Sequence, residues 1–407
     1  MTKAPDGARP EVRSLLIAGA KIGLFDESAK FFCKNLLSGA KISQFYTIFA
    51  AETTPIMKRK RILTVLTALT ALLLVALVAA GAAAYYYAAL RPATVRPVQV
   101  YIRPDCTRAA LLARFEQDDV DRVALFWLEH VLAYMDVDRR LEAGSMTGAY
   151  RLEEGLTPLE VARRLTRRQQ TPVSVTFNEV RLPEQMAGRL TRHLMVDSLS
   201  MLAAMRDPAL QAELGVTDTT LLCLFLPDTY QVYWDVTPER LLRRMRSEYD
   251  RFWDASRRRK AEALGLTPTE VAILASIAEE ETQDRTERGV VARLYWNRLQ
   301  RGMLLQADPT VKYAVGDFTL RRVLNEHLAV ESPYNTYLHA GLPPGPIRCP
   351  EKATMDALLN SRPHTYLYMC AKEDFSGLHN FAHTLAEHNQ NAARYHRALN
   401  KLMHSGH

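Results

Sequence analysis

Hydrophobic and polar positions alternate along this chain in two rhythms, after one long stretch that has none. From Ile62 to Leu90 there is no rhythm, because no residue is charged. About 20 apolar residues cross a bilayer as a helix, so 62–90 reads as a transmembrane helix. Beyond it, Pro97–Arg103 alternates with a period of two, with Val98, Val100 and Ile102 on one side and Gln99 and Tyr101 on the other. That pattern predicts a strand, as do Gly148–Leu152, Pro172–Asn178 and Thr365–Cys370. Helical spacing predicts helices over 107–115, 120–135, 157–168, 182–194 and 384–402. Residues 197–245 read as mainly helical around a turn at Leu226-Pro227-Asp228-Thr229-Tyr230. Thr237-Pro238-Glu239 opens a long Arg-rich helix to about Arg259, whose charges suit a solvated face.

The sharpest local signal is a helix over 267–282. Thr267 is placed to cap it, Pro268 fits its first turn, and Glu270 sits where a capping-box carboxylate reaches back. Val271, Leu274, Ile277, Ala278 and Glu281 then fall on one face. Glu279 is about 200° and Glu280 about 100° away from Glu281, at ~100° per residue, so both are expected to face water. A carboxylate on a buried face tends to keep its proton to higher pH, which is what a general acid needs near neutrality. On periodicity alone a second reading stays open, a solvated helix end paired with Arg285 or Arg288. A second helix follows over 287–300, then a loop-rich stretch to about Arg348.

Those loops carry Gln-Ala-Asp-Pro-Thr-Val-Lys-Tyr (306–313), Pro-Tyr-Asn-Thr-Tyr (333–337) and Gly-Leu-Pro-Pro-Gly-Pro-Ile (341–347). Near the end come His379-Asn380-Phe381 and Glu387-His388-Asn389. With Ala275-Ser276-Ile277-Ala278-Glu279-Glu280-Glu281-Thr282, this order and spacing resembles the endolytic murein transglycosylases, the MltG or YceG-like family. The resemblance runs over roughly 96–402 and is densest from 267 to 396. Ala278 stands where that family usually has a β-branched residue. Cys223–Tyr230 lacks the Glu-Gly that often opens its motif. In the family the Glu directly before Thr is catalytic, which implies Glu281 here.

The resemblance further implies an α+β fold with a LysM-like domain over 96–170 and a catalytic region over 171–403. The LysM-like part is expected to hold glycan or to act only as a spacer. Catalysis would need one carboxylate and no cofactor. Glu281 would protonate the bond between N-acetylmuramic acid and N-acetylglucosamine, then deprotonate the muramyl C6 hydroxyl as a 1,6-anhydro ring closes. Tyr334 and Tyr337 are candidates for stacking on pyranose faces. Gln306 and Asn335 are candidates for hydroxyl or acetamido contacts, and His388 and Asn389 for further sugar contacts. Asp308 is the nearby carboxylate to test as a base. His379, His383 and His388 lack metal-ligand spacing, so no metal is expected.

Charge and compartment fit that expectation. Residues 1–61 hold 11 Lys and Arg against 5 Asp and Glu, a net of +6. Residues 91–407 hold 41 against 40, so the main body offers little to a phosphate backbone and no nucleic acid is expected. Lys58-Arg59-Lys60-Arg61 precedes the apolar run, which predicts a cytoplasmic N-terminus and an exported body at the inner membrane. A cleaved signal peptide is the competing reading, but its apolar stretch is normally about 7–15 residues. Met57 opens a basic-then-apolar export segment, so 1–56 is either a cytoplasmic tail or an extension upstream of the true start. Cys106, Cys223, Cys349 and Cys370 would be exported, and either bridges or free thiols suit their spacing. The expected partners are glycan strands and the membrane, with glycan polymerases and transpeptidases nearby. A non-catalytic glycan-binding anchor, a water-using muramidase and a cytosolic lyase are the alternatives. The intact Glu281 argues against the first and the export signal against the last.

Overall fold

The computed structural model describes residues 55–117 and 120–405, so nearly all of the 1–56 stretch lies outside the described residues. The chain divides into two compact units after Thr171.

The first unit begins with α1 (Pro55–Tyr85), which runs into a five-residue π-helical stretch, Tyr86–Leu90. The helix over Arg59–Leu90 is long and apolar enough to cross a membrane. Next, β1 (Val98–Ile102) pairs antiparallel with β2 (Gly148–Leu152), Val98 opposite Leu152. Between the two strands lie α2 (Arg108–Gln117), α3 (Arg122–Tyr134) and α4 (Val137–Glu142). The sheet turns Val98, Val100, Ile102 and Tyr150 onto Phe115, Leu128 and Leu132, as the period-two pattern requires. Then α5 (Pro158–Thr166) starts on the capping box of Thr157 and Glu160.

In the second unit β3 (Val173–Phe177) pairs antiparallel with β4 (Asp228–Val232). The segment expected to be a turn at 226–230 is therefore largely strand. Thr229 and Gln231 face out while Tyr230 and Val232 are buried, and Tyr230 stacks on Phe177 with ring centroids 5.5 Å apart. Between these strands are α6 (Pro183–Thr191), α7 (Ser198–Met205), α8 (Pro208–Leu214) and a 3₁₀ turn, Leu221–Leu224. The Arg-rich helix is broken in two, α9 (Pro238–Phe252) and α10 (Ala255–Ala263). Trp253 turns into the core at the break, and Asp254 restarts the helix by accepting the Arg257 N–H at 2.8 Å.

The centre of this unit is α11 (Pro268–Glu281), capped by Thr267 and Glu270 as the sequence predicts. All residues from Val271 to Glu279 are buried, because α12 (Arg288–Gln300), α13 (Asp308–Val315) and α15 (Lys352–Leu359) surround the helix. Burying side chains such as Leu274 and Ile277 stabilises the unit by ~1.5–3 kcal/mol each. The stretch expected to be loop up to 348 holds α13 and a short turn, α14 (Asn325–Leu328). Pro309 fits the first turn of α13, and Gly316, at φ +79°, ends it in the left-handed region. The hairpin β5 (Tyr368–Ala371) and β6 (His379–Ala382) and the terminal α16 (Leu385–Ser405) complete the unit.

Candidate active site

Because α11 is enclosed around most of its girth, its last turn sends three carboxylates into three surroundings. Glu279 has no exposed surface. It pairs with the Arg348 guanidinium at 3.1 Å and accepts the Glu351 N–H at 2.7 Å. Glu280 lies between Arg181 at 2.7 Å and Arg348 at 3.1 Å. Neither faces water as periodicity predicts, since a helical period presumes one wet face and α11 is buried around most of its girth. Arg285 and Arg288, the partners that spacing offers this triplet, turn instead to Glu351.

Glu281 is the carboxylate without a strong ion pair. Its Oε2 is shielded from solvent and has no hydrogen-bond partner. Burial, helped by the negative charge of Asp308, pushes its pKa from the ordinary 4.5 up to about 7. A hydrogen bond with the buried Tyr295 hydroxyl and the charges of Arg298 and Lys312 pull weakly the other way. The result is a carboxyl group close to half-protonated at neutral pH, able both to give and to take a proton.

Two loops wall the site. Thr310 and Thr336, both buried, share a hydroxyl bond at 2.8 Å and lock the 306–310 segment to the 335–337 segment. The Thr336 hydroxyl and carbonyl accept the Ala307 and Gln306 N–H groups at 3.0 and 3.1 Å. Gln306 is held at φ +49°, a costly conformation for a residue with a side chain, and is exposed. The Tyr337 hydroxyl donates to Asp308 Oδ1 at 2.7 Å. Burial, that bond and the nearby Glu281 charge all push the Tyr337 pKa up, so it stays a neutral donor. Half-buried Tyr334 packs on Tyr313 at 4.6 Å between centroids. Asn335, by contrast, has no exposed surface. Its amide donates to the Leu328 and Val330 carbonyls at 2.9 Å and accepts the Tyr337 N–H at 3.0 Å, so its polar atoms are committed to its own loop.

Arg298 ties the third wall together. It donates to the Leu367 carbonyl at 2.6 Å and the Leu305 carbonyl at 2.7 Å, and its guanidinium lies 5.3 Å from the Tyr368 ring centre. His388 stacks on the same ring at 5.6 Å, and its Nδ1 is shielded without a partner. Burial and the Arg298 charge lower the His388 pKa, keeping the ring neutral. Asn389 is exposed at the next position of α16. The other two histidines are used elsewhere: His379 bonds Glu287 at 2.8 Å and His383 bonds Thr365 at 2.8 Å. Among the described residues no three His, Cys, Asp or Glu side chains gather as metal ligands.

The sequence singles out Glu281 and Asp308 but not Tyr295, Arg298 and Lys312, whose hydroxyl and charges reach Glu281, nor Tyr368 beside Arg298. A signal for two of them exists. Tyr295 and Arg298 are three apart on α12, hence on neighbouring turns of one face. The electrostatics predict a pH signature. Any reaction needing Glu281 as acid should slow as pH rises through about 7, because only the protonated form donates. Asp308→Asn removes a charge that raises Glu281, so the alkaline limb of the pH–rate profile should move to lower pH. A limb left at its wild-type position would show that Asp308 does not set it.

A family model of the YceG-like family matches residues 100–394. The chain belongs to the YceG-like family. Over 122 residues this YceG-like chain is 41% identical to an endolytic murein transglycosylase of Bacillus subtilis, covering 30% of this chain and 33% of that one. An endolytic murein transglycosylase of Streptococcus pneumoniae is 28% identical over 205 residues, 47% of this chain and 36% of its own length. The matches thus span about a third of each relative. A crystal structure of a yceG-like protein from Listeria monocytogenes aligns with 72% of this chain and 98% of its own, at 25% identity and a TM-score of 0.49.

Proposed function

We propose that this chain is an endolytic lytic transglycosylase of peptidoglycan, tethered to the cytoplasmic (inner) membrane by the helix over Arg59–Leu90 with its N-terminus in the cytoplasm. One observation carries the reading: the Glu281 carboxyl, with no ion pair and one oxygen shielded and unbonded, poised near pH 7 at the end of a buried helix. Family membership and the names of the B. subtilis and S. pneumoniae relatives support the substrate class.

In this reading protonated Glu281 gives its proton to the oxygen joining N-acetylmuramic acid to N-acetylglucosamine, and the C1–O bond breaks. The carboxylate then takes the proton of the muramyl C6 hydroxyl as that oxygen bonds to C1. The 1,6-anhydro ring closes, no water is consumed, and Glu281 ends protonated for the next turn. A double-displacement glycosidase needs a second free carboxylate as nucleophile. Asp308 is the neighbouring candidate, and it already accepts the Tyr337 hydroxyl. Gln306, Tyr334, Tyr337, His388 and Asn389 remain the proposed sugar contacts. Asn335 acts by holding their loop. The LysM-like reading of 96–170 adds a second hold on the glycan, and glycan polymerases and transpeptidases are the expected neighbours. Mass spectrometry of products from purified, uncrosslinked glycan tests the proposal. Expected are internal cuts ending in 1,6-anhydromuramic acid, one water lighter than hydrolytic ends. Reducing ends would instead identify a water-using muramidase.

A further inference from the structure

The chain leaves α1 and enters its folded first unit with almost no slack. Ala93 and Thr94 are already buried, three and four residues past Leu90. The Ala93 N–H donates to the Leu156 carbonyl at 2.6 Å, the Thr94 hydroxyl donates to the Glu153 carbonyl at 2.7 Å, and the same hydroxyl accepts the Leu156 N–H at 2.9 Å. Arg91 is fixed too, by an ion pair with Asp121 at 2.9 Å and by lying 5.5 Å from the Tyr87 ring centre.

The helix itself makes a side-by-side contact with the unit. The Tyr87 and Trp127 rings are parallel within 2°, with centroids 6.1 Å apart, and Phe126 packs edge-on against Trp127 at 5.5 Å. The uncharged run of 62–90 is about 43 Å long at ~1.5 Å per residue. The hydrocarbon core is only ~30 Å thick. On the membrane-anchor reading proposed above, the last turns of the run, Tyr87 included, therefore reach the level of the outer headgroups. Trp127, stacked on Tyr87, is brought to the same level.

Helix α3 is built for that level. Its core face is Ala124, Leu128 and Leu132. Val123, Phe126, Trp127, His130 and Tyr134 fall within an arc of about 100° on the opposite side, at ~100° per residue. That outer face carries no Lys, Arg, Asp or Glu, and Tyr134 at its end is 92% exposed. An aromatic face without Lys, Arg, Asp or Glu, with Phe126 and Trp127 partly exposed beside exposed His130 and Tyr134, calls for a second partner in a water-exposed unit. Trp and Tyr, with an apolar body and a polar tip, favour the membrane interface.

We infer that the outer face of α3, centred on Phe126, Trp127 and Tyr134, rests in the outer headgroup layer beside the exit of α1, so that the first unit lies on the bilayer instead of swinging from it. The inference rests on the membrane-anchor reading. It is tested with the full chain in phosphatidylcholine–phosphatidylglycerol vesicles whose acyl chains are brominated near the glycerol end. Bromine quenches indole emission at contact. The chain has four tryptophans, and quenching is expected for one of them, so about a quarter of the emission should be lost and the loss should vanish in Trp127→Phe. Bromines near the chain ends should quench far less. Equal emission in brominated and plain vesicles, from protein that stays in the carbonate-washed pellet, would overturn the docking and leave the anchor standing. Protein released by carbonate would overturn both. Quenching that persists in Trp127→Phe would assign the contact to another tryptophan and also overturn the inference.

Discussion

Replacing Glu281 by Gln is expected to abolish glycan cleavage while the protein folds and still retains glycan. Gln keeps the shape but has no transferable proton. General acid–base catalysis is typically worth ~10²–10⁴-fold, and in the proposed mechanism one group serves both bond breaking and ring closure, so the loss should reach the upper end. Stability should move the opposite way. A carboxyl raised from 4.5 to about 7 binds its proton more tightly in the fold than in the unfolded chain. Its effect on stability is therefore nil well below pH 4.5 and increasingly unfavourable from there to about pH 7. At pH 8 the ionised, poorly paired group is a burden of about 3 kcal/mol. Glu281→Gln should relieve part of it, raising the melting temperature at pH 8 but not at pH 4. Anhydro products from Glu281→Gln at wild-type rate would refute the site. An inactive variant that melts well below wild type at pH 8 would show damage to the fold instead of loss of a proton.

Much of this site is legible in the amino-acid sequence, and what is not legible has a physical reason. The capping box at Thr267 is local chemistry, so the start of α11 and the position of Glu281 on it follow from a dozen residues. The strands at 98–102, 148–152 and 173–177 carry alternation strong enough to stand alone. What periodicity misses is environment. It treats a helix as having a wet side, and α11 has almost none. Glu279 and Glu280, which periodicity places in water, sit instead on Arg348 and Arg181. Those arginines are 69 and 99 residues away from their partners, a separation no local pattern encodes. Asn335 shows the same limit at short range. In an aromatic, proline-rich loop an Asn suits a sugar hydroxyl, yet here the amide replaces a turn of secondary structure by satisfying three backbone groups. Asp254 and Trp253 split the Arg-rich helix because a capping residue and a buried ring outweigh continuous helical propensity.

Arg348→Ala should unfold the second unit more readily than any change at the surface. Arg348 is 4% exposed and its guanidinium reaches both Glu279 and Glu280. Removing it leaves Glu279 wholly enclosed, with the Thr354 hydroxyl and the Glu351 N–H as the neutral partners that remain. Burial already raises the Glu279 pKa, and Arg348 is the main influence holding it down. Breaking one half of a buried pair typically costs ~3–5 kcal/mol, because a charge is left uncompensated. For a unit of this size that corresponds to a fall in melting temperature on the order of 10 °C. Glu279→Gln alone should cost less than Arg348→Ala, since Gln brings no charge to bury and keeps an acceptor for the Glu351 N–H. The double variant Glu279→Gln, Arg348→Met removes both charges and fills the space. It should recover much of the loss, and the double-mutant cycle isolates the pair. The cycle also separates position from chemistry. With Glu281 untouched, the double variant should keep its alkaline pH limb near 7 and differ from wild type mainly in stability. Additive losses in the cycle would mean that Glu279 and Arg348 do not act as a pair, and the link they form between α11 and the 348–351 loop would then have no energetic weight.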